Sequence, residues 1–307
     1  MYLYLPVALT SINILIPVGL GLAVGLLSGL FGVGGGFLLT PLLIMYGIPS
    51  TVAAATDSNQ IVAASTSGTY AHWKVGNVDF KMGLYLLVGG FVGGIIGVQA
   101  IKLLHAMGNA DFVIKMTYVL MLGIVGVYMF IESIQSMKKS KSAVVEVREE
   151  KESAVGRFLK TLPLQTRFEK SGVTHSALVP IVLGAFVGIL AAIMGVGGGF
   201  LMVPVMVYML RMPMHVVVGT SLFQILFTCI EVTFLQAYTN HSVDFLLAVL
   251  LLVGSTVGAQ VGTVFGRKLK GEQLKVLLAV IVLIVTVKIV FELTLTPSLL
   301  ISQAGGH

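Results

Sequence analysis

Two short polar runs lie inside apolar stretches of this chain. The first is Thr56-Asp57-Ser58-Asn59-Gln60; the second holds Thr220, Ser221 and Gln224. Hydroxyls and amides donate hydrogen bonds suited to oxyanion atoms. Thr56 and Gln60 are four residues apart, as are Thr220 and Gln224, so each pair shares a helix face. Polar groups at membrane depth are costly unless paired or solvated, so they either line a cavity or bond between helices. Asp57 has Ser221 as its counterpart. It fits a proton carrier, a cation ligand or an acid near the membrane surface. Glu231, inside the apolar run 226–235, fits either a proton relay or a packed structural carboxyl. Asp57 and Glu231 are the candidates for proton coupling.

The second feature is a glycine cluster that occurs twice. Residues 32–41 read GVGGGFLLTP and residues 195–204 read GVGGGFLMVP. Glycines in an apolar stretch break a helix and open a new one. A helix start leaves backbone N–H groups unpaired and carries partial positive charge. Two such starts facing each other near the bilayer midplane make an anion site from backbone alone, and glycine lets the ligand come close. The expected substrate-binding set is therefore Gly34, Gly35, Gly36, Thr56, Asp57, Asn59, Gln60, Gly197, Gly198, Gly199, Thr220, Ser221 and Gln224. The competing reading is tight helix crossing through small residues. A nucleotide fingerprint is excluded, because no strand precedes either cluster and no Lys follows in P-loop spacing. No H-E-x-x-H, CxxC or G-x-S-x-G occurs, and Ser-Thr-Ser-Gly at 65–68 has no His placed to serve as its base. The chain is expected to be no enzyme, with no cofactor and no metal.

The elements that position these residues follow from composition. The chain has 307 residues, 56% of them hydrophobic and 10% charged, and a mean hydropathy of +0.99. Uncharged stretches of about 20 residues recur, the length that spans a bilayer core, and they are continuous rather than alternating. Ten apolar segments are expected: 12–31, 34–48, 51–72, 80–104 and 112–136, then 176–194, 197–211, 214–238, 243–265 and 272–296. The segments 34–48 and 197–211 are short. They cross only by sharing the glycine cluster, and are otherwise re-entrant. Cys229 is the single cysteine and has no disulfide partner in the chain.

The repeat runs beyond the glycines. Gly21 and Gly25 align with Gly184 and Gly188, Pro49 with Pro213, and Asn77-Val78-Asp79-Phe80 with Ser242-Val243-Asp244-Phe245. Gly89, Gly93 and Gly97 align with Gly254, Gly258 and Gly262, and read as close helix packing. The offset drifts only from 163 to 165. Such internal repeats are frequent in secondary transporters.

The sequence thus predicts an all-α polytopic membrane protein of two homologous halves, five apolar segments each, arranged as inverted repeats with glycine-broken helices. Residues 1–136 form the N-terminal membrane repeat, 137–174 a cytoplasmic basic linker with a short amphipathic piece at 155–162, and 175–307 the C-terminal repeat. If the short segments cross, sixteen Lys and Arg fall inside and two outside; if they are re-entrant, eleven fall inside and seven outside. The positive-inside rule favours inversion. The formal charge of +6 is topology signal and no evidence of nucleic-acid binding. His72, Trp73 and Lys74 read as interface anchors, and Lys288 and Glu292, four apart, as a pair.

Paired GVGGGFLxxP segments, each followed by a proline and a Thr-x-x-x-Gln run, resemble the TauE/SafE sulfite exporter family, also called the 4-toluene sulfonate uptake permease-like or TSUP family. The likeness covers residues 15–136 and 178–296. It implies a multi-pass permease of the bacterial or archaeal inner membrane for sulfite, sulfoacetate, thiosulfate or another organosulfonate. The implied partners are that anion and the lipid bilayer, with a homo-oligomer left open. The family is usually described with fewer spans than the ten segments read here.

Overall fold

In the computed structural model, residues 2–31, 36–139, 164–266 and 271–294 are described. They form two matching series of five helices. The first is α1 (Leu15–Phe31), α2 (Gly36–Met45), α3 (Ser50–Lys74), α4 (Phe80–Ala106) and α5 (Ala110–Lys139). The second is α6 (Leu178–Met194), α7 (Gly199–Pro204), α8 (Met214–Leu235), α9 (Phe245–Gly266) and α10 (Gly271–Thr294). Pro204 has no N–H to give its own turn, and α7 widens there into a π turn, Val205–Met209; another, Gln236–Asn240, extends α8. Four helical stretches, Phe80–Ala106, Ala110–Tyr128, His215–Asn240 and Phe245–Gly262, are long and apolar enough to cross a membrane unaided. α3 is as long but carries the polar run.

The all-α expectation needs one correction. Each half opens on an antiparallel hairpin: β1 (Tyr2–Leu5) pairs with β2 (Thr10–Asn13), and β3 (Gln165–Phe168) with β4 (Val173–Ser176). The short strands alternate sides and each bury one residue, Leu5 and Ile12 in the first hairpin, Phe168 and Ser176 in the second. The two hairpins are related by the same offset of 163 as the glycine clusters. The stretch expected as linker, 137–174, therefore includes most of the second hairpin, which is folded onto the bundle. The expected amphipathic piece at 155–162 lies outside the described residues.

The halves interlock. α1 packs along α9, and α4 along α6, with helix backbones touching through glycine. A Cβ added at Gly254, Gly258 or Gly262 would stand 2.2, 2.1 or 2.1 Å from the carbonyl oxygens of Val18, Leu22 and Leu26. At Gly89 and Gly93 it would stand 1.9 and 2.0 Å from those of Ile181 and Ala185. The residue order shows that each of these pairs runs in parallel. Equivalent helices run oppositely. Gly68 meets Leu222 while Ile61 clusters with Ile225 and Cys229, so α3 and α8 are antiparallel. Gly126 meets Val282 and Leu283 while Gly123 meets Thr286, so α5 and α10 are too.

α2 lies in the middle, with eight of its residues buried, Gly36 through Pro41 plus Leu43 and Ile44. Phe37 and Phe200 occupy matching places after the two glycine clusters, and their rings meet at 5.6 Å between centroids.

The ladder predicts contrasting glycine variants. Gly258→Ala forces a methyl onto a backbone oxygen 2.1 Å away and should lower the melting temperature, an overpacking cost of about 1–3 kcal/mol. Gly19→Ala meets nothing within 4 Å and should leave melting unchanged or raise it. Thermal denaturation of the purified protein in detergent compares the two.

Candidate functional site

The second glycine cluster is a true helix break. Gly195, Gly197 and Gly198 have φ of 72°, 66° and 73°, the left-handed region that glycine enters without cost. α6 ends at Gly195 and α7 begins at Gly199. The turn is also packed tight: a Cβ at Gly195 would stand 2.0 Å from Ala54 O, and one at Gly197 2.5 Å from Cys229 Sγ. Breaking and close packing, set against each other as alternatives in the sequence, occur at the same residues. In the first cluster Gly34 and Gly35 lie outside the described residues. Gly36 opens α2, and a Cβ there would stand 2.3 Å from Ile61 Cδ1 and 3.3 Å from Asp57 Oδ2.

The carbonyls freed by the second break have partners. The Ser58 hydroxyl lies 3.1 Å from Gly195 O and 3.2 Å from Ala54 O. The Tyr118 hydroxyl of α5 donates to Met194 O. The α6 end of the break is thus met by the first half.

Asp57 sits beside the start of α2. It has no solvent exposure. Its Oδ2 accepts from the Thr40 hydroxyl at 2.8 Å and from the Thr40 amide at 3.2 Å, and its Oδ1 is buried with no hydrogen-bond partner. Gln60 and Gln224 are also buried, each with an unpartnered Oε1, and Gln224 Nε2 donates to Thr228 Oγ1 at 2.9 Å. Asn59 is half-buried. Ser221 turns back onto its own helix, donating to Val218 O at 3.0 Å. Gly199 is buried at the first turn of α7. Glu231 lies further along α8, half-buried, its Oε2 unpartnered and 2.8 Å from where a Cβ on Gly94 of α4 would be.

Thr56 and Thr220 have a different task. Thr56 Oγ1 accepts from the Asp244 amide at 3.1 Å, and Thr220 Oγ1 from the Asp79 amide at 2.9 Å. Each aspartate then caps its own helix and holds a hairpin. Asp79 Oδ1 accepts from Met82 N at 3.0 Å and Oδ2 from Ser171 N at 3.1 Å. Asp244 Oδ1 accepts from Leu247 N at 3.1 Å, and Oδ2 from Val7 N and Ala8 N at 3.1 and 3.4 Å. Sequence reasoning matched Asp79 to Asp244 but missed their role. The signal was available, since an Asp directly before an apolar helix is an N-cap pattern. Thr40 and Tyr118 were also missed, because each is a single polar residue in an apolar run.

Among the other residues singled out, Trp73 is 57% exposed and Lys74 Nζ lies 4.5 Å from the centre of the Tyr70 ring, an arrangement that suits an interface anchor. The expected partner of Lys288, the Glu292 side chain, lies outside the described residues.

Long apolar helices, a broken helix in the core and polar groups buried around the break together define a polytopic membrane transporter. The chain belongs to the sulfite exporter TauE/SafE family, whose model matches residues 18–289. It is a transporter by family and no enzyme. It is 26% identical over 288 residues to the probable membrane transporter protein YunE of Bacillus subtilis (strain 168), covering 91% of this chain and 98% of that one. It is 23% identical over 278 residues to the probable membrane transporter protein MJ0441 of Methanocaldococcus jannaschii, covering 84% of this chain and 88% of that one. A stretch of 96 residues is 32% identical to sulfite exporter TauE/SafE family protein 2 of Arabidopsis thaliana, covering 31% of this chain and 21% of that one. Relatives thus occur in a plant as well as in bacteria and archaea. No solved structure matches the chain.

The aspartate ties predict a shared cost. Asp79→Ala removes a helix cap and a hairpin anchor together, and should cost about 2 kcal/mol or more. Asp244→Ala should do the same, each read as a lowered melting temperature against the unaltered protein.

Proposed function

We propose that the protein is a secondary transporter of a small sulfur-containing anion, such as sulfite, sulfoacetate or another organosulfonate, in the inner membrane of a bacterium or archaeon. It works by alternating access around the two glycine breaks. The observation that carries this reading is the meeting of matching residues at the two helix starts, Phe37 against Phe200, directly after the glycines. The starts of α2 and α7 therefore lie close together, and unpaired N–H groups at a helix start favour an anion. Gln60 and Gln224 are buried on α3 and α8, each with an unpartnered amide oxygen, and an amide side chain can turn either its N–H₂ or its oxygen to a ligand. A site without Lys or Arg holds its anion weakly enough to release it. Family membership and the printed name of its plant relative support the sulfur oxyanion as cargo.

The two halves are inverted repeats in this reading. Antiparallel packing of α3 on α8 and of α5 on α10 supports it, because equivalent helices related by an axis along the membrane normal would run in parallel. Contacts also carry the direction round the bundle. α8 runs with α4, as Gly83, Gly90 and Gly94 meet Thr220, Thr228 and Glu231 in that order, so α3 opposes α4. α9, one short turn after α8, then runs with α3, and α1 runs with α9. α1 and α3 therefore point the same way, and α2 between them returns across the bilayer in this reading. Five crossings per half put the basic linker on the same side as Lys74, Lys81, Arg211, Arg267, Lys268, Lys270 and Lys275, in agreement with the positive-inside rule. An inside-negative potential favours the exit of an uncoupled anion by about 2.3 kcal/mol per charge per 100 mV.

Purified protein in liposomes should move sulfite or an organosulfonate above the rate of empty liposomes. Flux that follows a cation and ignores every such anion would contradict the proposal and favour a cation carrier built on Asp57 and Glu231.

A further inference from the structure

The first turns of α2 face a carboxyl group from α3, that of Asp57. It is fully buried, stands beside Gly36, and is bonded through Oδ2 to both the amide and hydroxyl of Thr40, one turn into the helix. A carboxylate there is favoured by the positive end of the helix. In the reading above it stands beside the place that a transported anion would take. The second half lacks this arrangement. By the alignment of the repeats, Thr40 corresponds to Val203 and Asp57 to Ser221. Two residues that touch each other have changed together, in one half only.

No base neutralises this carboxylate. The titratable groups that face it are Tyr118 from α5 and Cys229 from α8, and no Lys, Arg or His among the described residues acts on it. α2 contributes Thr40 and α6 the end of its backbone, neither of which titrates. The remaining open valence is Oδ1, buried and without a partner, which is where a proton can add. Two negative charges at one buried helix start repel strongly in a medium of low dielectric. A cargo anion enters beside Asp57 at little cost only when that carboxyl carries a proton.

Resting on the anion-transport reading above, we infer that Asp57 is a built-in competitor for the cargo, and that one proton, taken up on its carboxyl, accompanies each monoanion. Binding of proton and anion is mutually favourable, and favourable coupling is reciprocal. The two ligands therefore move in the same direction, and the cycle for a monoanion carries no net charge. The pH gradient and the cargo gradient, rather than the membrane potential, then drive transport, so an acid exterior drives uptake. Thr40 is a positioning residue that holds the ionised form of Asp57.

Liposomes loaded with a pH-sensitive dye test this, with a sulfonate monoanion as cargo because its charge does not change with pH. Adding sulfonate outside should acidify the lumen in step with its uptake, and a potassium diffusion potential should not alter the rate. In Asp57→Asn, sulfonate uptake, at whatever rate the variant retains, should come without acidification and should respond to the potential. Thr40→Val, which keeps the shape, should move the pH of half-maximal uptake upward by about one unit, since the ionised carboxyl loses a hydrogen bond. The inference is overturned if the unaltered protein carries sulfonate without protons, if Asp57→Asn still acidifies the lumen, or if Thr40→Val leaves the pH profile in place. In each of those results anion transport itself stands. If neither sulfonate nor sulfite moves at all, the proposed function falls with it.

Discussion

A chain that crosses a bilayer must satisfy its backbone polar groups internally, because hydrocarbon offers no partner. This constraint governs the centre of the molecule. α6 stops at Gly195, in the middle of an apolar half, and frees carbonyls that water does not reach. Ser58 covers Gly195 O and Tyr118 covers Met194 O. Both come from the other half of the chain. A helix can be broken in one repeat only because the opposite repeat supplies the missing hydrogen bonds. The break and the interlocking of the halves are therefore one requirement.

The same logic explains the glycines that do not break anything. In lipid, apolar side chains gain little by leaving one apolar surface for another, so helix association rests on close contact. Gly254, Gly258 and Gly262 bring α9 onto the backbone of α1, and Gly89 and Gly93 bring α4 onto α6. These two seams join first-half to second-half helices. They hold α2 and α7 against each other and leave Phe37 facing Phe200. At the two ends of the bundle the hairpins are tied down by Asp79 and Asp244, each through a threonine of the opposite half. The polar residues of α3 and α8 thus divide by partner. Thr56 and Thr220 accept from backbone amides of the opposite half, while Asp57 is bonded to Thr40 of α2 and Gln224 to Thr228 of its own helix.

Much of this was legible in the sequence. All ten helices fall within a few residues of the apolar segments, because a bilayer imposes length and continuity on each span. The glycine repeat announced the seams, and the paired GVGGGFLxxP segments announced the break. The hairpins at 2–13 and 165–176 were invisible to a search for apolar runs. They are short, polar on one side and stabilised by distant aspartates. The roles of Thr56 and Thr220 were misjudged for a related reason. Periodicity places a hydroxyl on a helix face, but only tertiary packing shows that a backbone amide from the other repeat already uses it. Thr40 and Tyr118 illustrate the same limit, since one polar atom in an apolar helix has no pattern to reveal its partner.

The proposed function rests on an asymmetry between the two halves. Both halves provide a helix start, and only the first sets a buried carboxyl beside it. In that proposal the centre of the bundle binds the anion, and the difference between the halves is the reason that it responds to protons. The most direct measurement is an experimental structure of the protein in lipid with sulfite or a sulfonate bound. The account predicts the anion between the starts of α2 and α7, within hydrogen-bonding reach of their first amides and beside Asp57. An anion bound instead at the outer ends of the helices, with the breaks still packed closed, would contradict it.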